Sequence, residues 1–189
     1  MRVIAGTLKG RTLRAPTGSE TRPTADRVRE ALFSILGSMD GLNVLDLYAG
    51  TGALGIEALS RGAGQAVFVE AASSAMRCFR QNLSKLNLDD RSRVLHAWVE
   101  RSDHEIANWA PYDLAFCDPP WSRSDEAWKF LADINVARLI STYGRLVLEH
   151  PANRAYDGDS LGQMQVIRRR TWGDSAVTIL QRNVAAAQT

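Results

Sequence analysis

The chain has 189 residues, of which 45% are hydrophobic and 23% charged, so it has enough apolar side chains for one hydrophobic core. The two cysteines are far apart and no Cys-x-x-Cys pair occurs, which argues against a disulfide framework and a zinc site. No apolar run approaches the ~20 residues of a membrane span. Met1 leads into a polar, glycine-bearing segment that lacks the features of a signal peptide, so we expect a cytoplasmic protein.

The formal net charge of +2 is unevenly distributed. Residues 1–29 contain seven basic and two acidic side chains, which gives this segment +5 and leaves −3 for the remainder. Because lysine and arginine attract phosphates, a basic arm on a mildly acidic body favours a polyanionic partner such as nucleic acid.

The first 20 residues read as an arm. Residues 2–5 and 11–14 alternate in polarity on either side of a glycine-bearing turn, which predicts a β-hairpin with its cations outward. Residues 15–20 contain Pro16 and Gly18 and are expected to link the arm to the body. We therefore divide the chain into a basic hairpin with its linker, residues 1–20, and an α/β domain, residues 21–189. A helix is predicted just after Pro23 from the spacing of its apolar residues.

A short apolar strand, residues 44–47, runs into Tyr48-Ala49-Gly50-Thr51-Gly52 and then into a helical pattern. Glycines between a strand and a helix bring backbone close to a ligand at the edge of an α/β sheet. The pattern G-x-G-x-x-G, with Glu70 about 20 residues on, fits a dinucleotide site. However, Asp46 lies within the strand end, an arrangement that suits a cationic ligand without a pyrophosphate. The glycines alone leave both interpretations open.

The rest of the chain alternates between strand and helix. Strands are predicted at 65–70, 93–98, 112–117 and 144–149, and helices at 73–86 and 124–141. Residues 163–168 and 176–180 resemble an antiparallel pair around Trp172-Gly173-Asp174. This order predicts an α/β fold with a mostly parallel sheet and a C-terminal antiparallel hairpin.

Asp118-Pro119-Pro120-Trp121 directly follows the strand at 112–117. The prolines cannot extend a ladder of strand hydrogen bonds, so they fix the chain in a defined turn. Such a turn presents the Asp118 carboxylate and the Pro119 carbonyl as two acceptors beside the aromatic face of Trp121. Two acceptors and a stacking plane complement an exocyclic amine on a flat heterocycle, and alignment with charge stabilisation would drive its methylation.

These two motifs resemble the cofactor loop and the (Asp/Asn)-Pro-Pro-(aromatic) motif of class I S-adenosylmethionine-dependent amino-methyltransferases. Within that class, the chain resembles the bacterial 16S rRNA (guanine-N2) methyltransferase family over nearly its whole length. The blocks that carry this likeness are residues 3–6, 10–11, 21–33 and 57–63, together with the Trp172-Gly173-Asp174 hairpin.

The resemblance implies a class I methyltransferase fold with a seven-stranded sheet, S-adenosylmethionine as methyl donor, and a guanine of 16S rRNA as target. The expected partner is 16S rRNA or an assembly intermediate of the small ribosomal subunit, with the protein acting as a monomer, without a metal or a membrane. The catalytic candidates are Asp118, Pro119, Pro120 and Trp121. The candidate cofactor contacts are Asp46, Tyr48, Ala49, Gly50, Thr51, Gly52, Glu70, Ala97 and Trp98. The candidate RNA contacts are Arg2, Lys9, Arg11, Arg14, Arg22 and Arg27.

Two positions depart from the family pattern. Trp121 replaces the usual Tyr or Phe, which also admits adenine-N6 methyltransferases as relatives. His96 stands where many relatives carry an acid or amide that meets the cofactor adenine, so a backbone carbonyl or stacking on Trp98 is the expected substitute. A nicotinamide-dependent oxidoreductase would explain the glycines but not residues 118–121, and a non-catalytic RNA-binding module would explain neither motif. Residues 168–170, three arginines, are interpreted as a solvated charge run.

Overall fold

The computed structural model describes residues 1–16, 23–156 and 158–183. The chain forms two compact units, one of residues Met1–Trp98 and one that begins at Val99. The proposed division at residue 20 therefore stays a prediction. None of the helices in the described ranges combines the length and apolar character needed to cross a bilayer.

The first unit alternates helix and strand. Its elements in chain order are α1 (Pro23–Leu36), β1 (Asn43–Leu47), α2 (Ala53–Ser60), β2 (Gln65–Glu70), α3 (Ser73–Leu86) and β3 (Ser92–His96). Both β1 and β3 pair with β2 in parallel. The last four residues of β1 and the last five of β2 are buried, as expected for parallel strands that are covered on both faces.

The second unit contains α4 (Asp103–Ala107), β4 (Tyr112–Cys117), α5 (Ser124–Asp133), β5 (Ile140–Pro151), β6 (Met164–Trp172) and β7 (Ser175–Arg182). Strands β4 and β5 are parallel, whereas β7 is antiparallel to both β5 and β6. The sheet order β3-β2-β1-β4-β5-β7-β6 confirms the predicted seven-stranded, mostly parallel sheet with its C-terminal antiparallel hairpin.

The helix predicted over residues 124–141 is wrong in length. The helix α5 ends at Asp133, because Asn135 adopts a left-handed conformation (φ 49°) that an α-helix cannot contain. A short 3₁₀ turn over Val136–Arg138 follows, and β5 begins at Ile140, four residues earlier than predicted.

The N-terminal arm, residues 1–14, forms a small antiparallel pairing as predicted. Arg2 pairs with Thr12, and the Val3 N–H donates to the Arg11 carbonyl at 2.9 Å. The arm is attached to α2 by Glu57, a carboxylate that is only 1% exposed. Its oxygens accept the Ile4 and Ala5 N–H groups at 2.7 and 3.0 Å. Buried charge-assisted hydrogen bonds of this kind fix the arm firmly on the body.

Candidate functional site

The loop between β1 and α2, residues 48–52 (the glycine loop), has an unusual backbone. Three of its five residues have positive φ angles: 59° at Tyr48, 56° at Gly50 and 79° at Gly52. Left-handed backbone is costly for a side chain such as that of Tyr48, so the surrounding contacts must hold the loop in this shape. The loop ends at the first residue of α2, Ala53, where N–H groups of a helix start are available to a ligand.

Asp46 supports this loop from below. Its side chain is 1% exposed, and its Oδ2 accepts the Gly55 N–H of α2 at 2.8 Å. Burial raises the pKa of this carboxyl from 3.8 to about 7, an effect that the Gly55 hydrogen bond opposes and the nearby charge of Glu70 reinforces. A direct contact of Asp46 with a cationic ligand stays a prediction, since the observed contact is with the backbone of the helix.

Glu70, at the end of β2, holds the loop from the side. Its Oε2 accepts the Gly50 N–H at 2.7 Å, and its Oε1 accepts the Ala72 N–H at 2.6 Å. Each carboxylate oxygen has a second lone pair, so both remain able to accept from a hydroxyl. Glu70 therefore combines a structural role in the loop with acceptor capacity at the sheet edge.

The glycines of the loop serve different purposes. A Cβ on Gly52 would lie 2.3 Å from the Phe79 ring of α3, and one on Gly55 would lie 2.2 Å from the Phe68 ring of β2. These two glycines permit close packing, so the space that a side chain at Gly52 would need is occupied by Phe79 and not left for a ligand. By contrast, a Cβ on Gly50 would meet nothing closer than the Tyr48 carbonyl at 4.0 Å.

The segment after β3 presents an aromatic face. The Ala97 N–H donates to the Glu70 carbonyl at 3.1 Å, which places Ala97 and Trp98 beside the end of β2. The Trp98 side chain is 52% exposed. The Nε2 of His96 lies 3.2 Å from the Ala71 carbonyl, so His96 contacts the protein backbone at this position.

In the second unit, the Asp118-Pro119-Pro120-Trp121 segment leaves the end of β4 as a fixed turn. Asp118 is exposed whereas Pro119 is buried. The Pro120 carbonyl accepts the Arg123 N–H at 2.7 Å, which closes a 3₁₀ turn over Trp121–Arg123. Arg123 in turn pairs with Glu100 and Glu126, each at 2.9 Å. The turn leaves Trp121 52% exposed, in agreement with a stacking role.

The predicted RNA contacts of the described chain lie at the surface. Arg2, Lys9, Arg11, Arg14 and Arg27 are all exposed. Arg22 lies outside the described residues.

Other arginines have specific structural partners. Arg29 is only 5% exposed, and its Nη2 donates to Asp26 at 2.9 Å and to the Arg2 carbonyl at 2.6 Å. In the C-terminal charge run all three arginines are exposed, as predicted, but Arg169 also donates to the Ala152 and Arg154 carbonyls at 2.9 and 2.6 Å.

Sequence reasoning missed one residue that touches the glycine loop. Asn82 on α3 is 1% exposed, and its Nδ2 donates to the Thr51 carbonyl at 3.2 Å and to the Arg14 carbonyl at 3.0 Å. A polar residue in an amphipathic helix ordinarily predicts a solvent-facing position. The only available signal was its place on the apolar stripe, since Phe79, Leu83 and Leu86 of the same helix are also buried.

Similarity to known proteins is consistent along the chain. A rRNA methyltransferase homologue from Bacillus subtilis, described as "Putative rRNA methyltransferase YlbH", is 35% identical over 184 residues, covering 96% of this chain and 99% of the relative. Ribosomal RNA small subunit methyltransferase D of Escherichia coli is 36% identical over 124 residues, 65% of this chain and 61% of the relative.

Two solved structures share the fold. The "Putative methyltransferase yhhF" of Escherichia coli has a TM-score of 0.81 with 28% identity, covering 98% of this chain and 99% of that one. A Thermus protein of undescribed function has a TM-score of 0.78 with 29% identity, covering 97% and 99%. The family described as "Conserved hypothetical protein 95" matches residues 1–181. The chain therefore belongs to this family and has the class I methyltransferase fold.

Proposed function

We propose that the protein transfers a methyl group from S-adenosylmethionine to the exocyclic N2 amine of a guanine in 16S rRNA. The observation that carries the proposal is the turn after β4, where an exposed Asp118 and a half-exposed Trp121 flank two prolines. Acceptors beside an aromatic plane match a heterocyclic amine, and the rRNA methyltransferases among the relatives support RNA as the source of that amine.

The first unit fits S-adenosylmethionine by its chemistry. Glu70 retains acceptor capacity for ribose hydroxyls, and the half-exposed Trp98 offers a stacking face for the adenine. The open space above Gly50 leaves room for a ligand against the loop backbone. When bound, the donor supplies an electrophilic methyl group on a positively charged sulfur.

The chain's own residues would promote transfer by holding the amine. The Asp118 carboxylate and the Pro119 carbonyl accept its two hydrogens, which favours a pyramidal nitrogen with its lone pair directed away from the ring. Trp121 fixes the plane of the base by stacking. The negative charge of Asp118 stabilises the positive charge that develops on the nitrogen, so neither a covalent nucleophile nor a metal is needed.

The base must leave its stack to reach such a pocket, which is easier in an unpaired loop than in a duplex. The exposed cations of the arm support a role in holding the surrounding RNA. We expect the substrate to be 16S rRNA or an assembly intermediate of the small subunit, and the protein to act as a monomer.

The experiment is methylation of purified 16S rRNA with labelled S-adenosylmethionine, followed by nuclease digestion and mass analysis of the nucleosides. The expected product is N2-methylguanosine at a single position, absent when donor or protein is omitted. Appearance of N6-methyladenosine would favour the adenine alternative that Trp121 admits. Binding of NAD without binding of S-adenosylmethionine in calorimetry would refute both.

A further inference from the structure

A second basic surface lies on α3, apart from the tip of the arm. It is a cleft of about 580 Å³ where the end of the arm meets the helix. Its lining residues, hereafter the α3 cleft, are Arg14, Arg80, Gln81, Ser84 and Lys85. Only Arg14 of this set was predicted to contact RNA.

The charge of the α3 cleft is of one sign. Arg14, Arg80 and Lys85 contribute three cations, whereas none of its described lining residues is a carboxylate. A second cleft, between the arm and α1, has a mixed lining that includes Arg2 and Lys9 together with Asp26 and Glu30. An anionic ligand is therefore favoured at the α3 cleft, where no carboxylate repels it.

The cations of the α3 cleft are held in place by hydrogen bonds. The Arg14 Nη1 donates to the Gln81 side chain at 3.0 Å, and the Lys85 Nζ donates to the Thr12 carbonyl at 3.4 Å. Within the described parts of the chain, none of the three cations of this cleft forms an ion pair with a carboxylate. Their charges are consequently available to a ligand.

The backbone beneath the α3 cleft is also fixed. The Asn82 Oδ1 accepts the Arg14 N–H at 2.7 Å, which secures the start of the Arg14 side chain on the helix. On α3 itself, Arg80 and Ser84 are four residues apart, as are Gln81 and Lys85, so each pair lies on one face of the helix. Guanidinium, ammonium and hydroxyl donors thus converge on one volume.

We infer that the α3 cleft binds a phosphodiester of the RNA substrate, as a contact additional to the exposed cations of the arm. Guanidinium and ammonium groups are the side chains that proteins use against phosphate, and the cleft is large enough for a nucleotide. This inference rests on the proposed function, because it takes the substrate to be RNA. Its role is to position the strand and not to read its sequence.

The test compares two charge-matched double variants in filter binding to purified 16S rRNA over a range of salt concentrations. Arg80→Gln with Lys85→Gln removes two cations of the α3 cleft. Arg101→Gln with Arg138→Gln removes two exposed cations of the second unit, which lie outside both clefts. The conservative variant Arg80→Lys with Lys85→Arg keeps the charge of the cleft.

The cleft variant is expected to lose about tenfold in RNA affinity at low salt and about 1.4 from the log–log salt slope, or about 0.7 for each lost contact with a single strand. The charge-matched control and the conservative variant should keep wild-type affinity. Binding of S-adenosylhomocysteine, measured by calorimetry, should be equal in all four proteins.

Unchanged RNA binding by the cleft variant, with wild-type binding of both RNA and S-adenosylhomocysteine, would overturn the α3 cleft alone. An equal loss in the charge-matched control would also overturn it, since net charge would then explain the effect. Failure of the wild-type protein to bind either molecule would instead refute the proposed function.

Discussion

Asn82 and Arg14 are joined by two hydrogen bonds, because the Asn82 side-chain amide accepts the Arg14 N–H at 2.7 Å and donates to the Arg14 carbonyl at 3.0 Å. The same amide donates to the Thr51 carbonyl at 3.2 Å. One buried side chain thus connects the base of the arm to the glycine loop. The arm and the loop share a support.

Asn82→Ala is therefore expected to affect both ends. It leaves backbone groups of Arg14 and Thr51 without these partners, so the free energy of unfolding should fall by about 1–3 kcal/mol. The loop should lose order, and the dissociation constant of S-adenosylhomocysteine should rise by about tenfold, equivalent to roughly 1.4 kcal/mol. Urea unfolding and calorimetry measure the two effects.

Gln81→Ala is the matched control for Asn82→Ala. It removes a neighbouring contact with Arg14, but this contact is exposed and does not reach the glycine loop. Stability and affinity for S-adenosylhomocysteine should both stay at wild-type values. If Asn82→Ala behaved like this control, Asn82 would not support the loop.

Local patterns predicted most of the fold because its signals are local. The strand β2, the helix α3 and the strand β4 have the predicted bounds, since apolar periodicity and flanking turn residues define them. The end of α5 was missed because it depends on Asn135 adopting a left-handed conformation, which asparagine tolerates but does not require.

The supports of the site were harder to predict. Glu57 and Asn82 bind backbone groups that are 53 and 68 residues away, at Ile4 and Arg14. Backbone groups leave no trace in the side-chain sequence, so such pairs are invisible to pattern and spacing. The role of Gly52 was also hidden, because it depends on the position of the Phe79 ring in a later helix.

Gly52→Ala should destabilise the protein more than Gly50→Ala. Both positions have positive φ, which costs an alanine about 1–2 kcal/mol. At Gly52 the new methyl group also meets the Phe79 ring, and overpacking of this kind adds about 1–3 kcal/mol. Thermal unfolding of the two variants should therefore rank Gly52→Ala as the less stable.

The double variant Gly52→Ala with Phe79→Leu separates the two causes. A leucine removes the ring atoms that lie 2.3 and 2.4 Å from the added methyl, so Gly52→Ala should cost less in the Phe79→Leu background than in the wild type. Equal costs in both backgrounds would show that backbone strain alone limits position 52.

Asp46 should make stability depend on pH. Its pKa is about 7 in the folded protein against 3.8 for the ordinary carboxyl. The folded state therefore binds more protons than the unfolded state between these values, and stability attributable to Asp46 is lost as pH rises from about 4 to about 7. The upper limit of this loss is about 4 kcal/mol. Relative to the wild type, Asp46→Asn should gain stability over this interval, as measured by urea unfolding at several pH values.

Asp90→Asn is the control for this pH dependence, because it removes an exposed carboxylate from the same unit. Its stability relative to the wild type should change little between pH 4 and pH 7. An Asp46→Asn variant whose relative stability was equally flat would mean that Asp46 is already ionised at low pH in the folded state.

Asp118→Ala tests the chemistry directly. It removes one of the two proposed acceptors for the amine, and loss of one preorganised electrostatic contact should lower turnover at least ~100-fold. Affinity for S-adenosylhomocysteine should be unchanged, because the proposed donor contacts lie in the first unit. Asp125→Ala is the control, since Asp125 is an exposed carboxylate seven residues on that binds Arg154 and Tyr156. Single-turnover methylation of 16S rRNA measures both variants, and undiminished transfer by Asp118→Ala would show that Asp118 does not hold the amine.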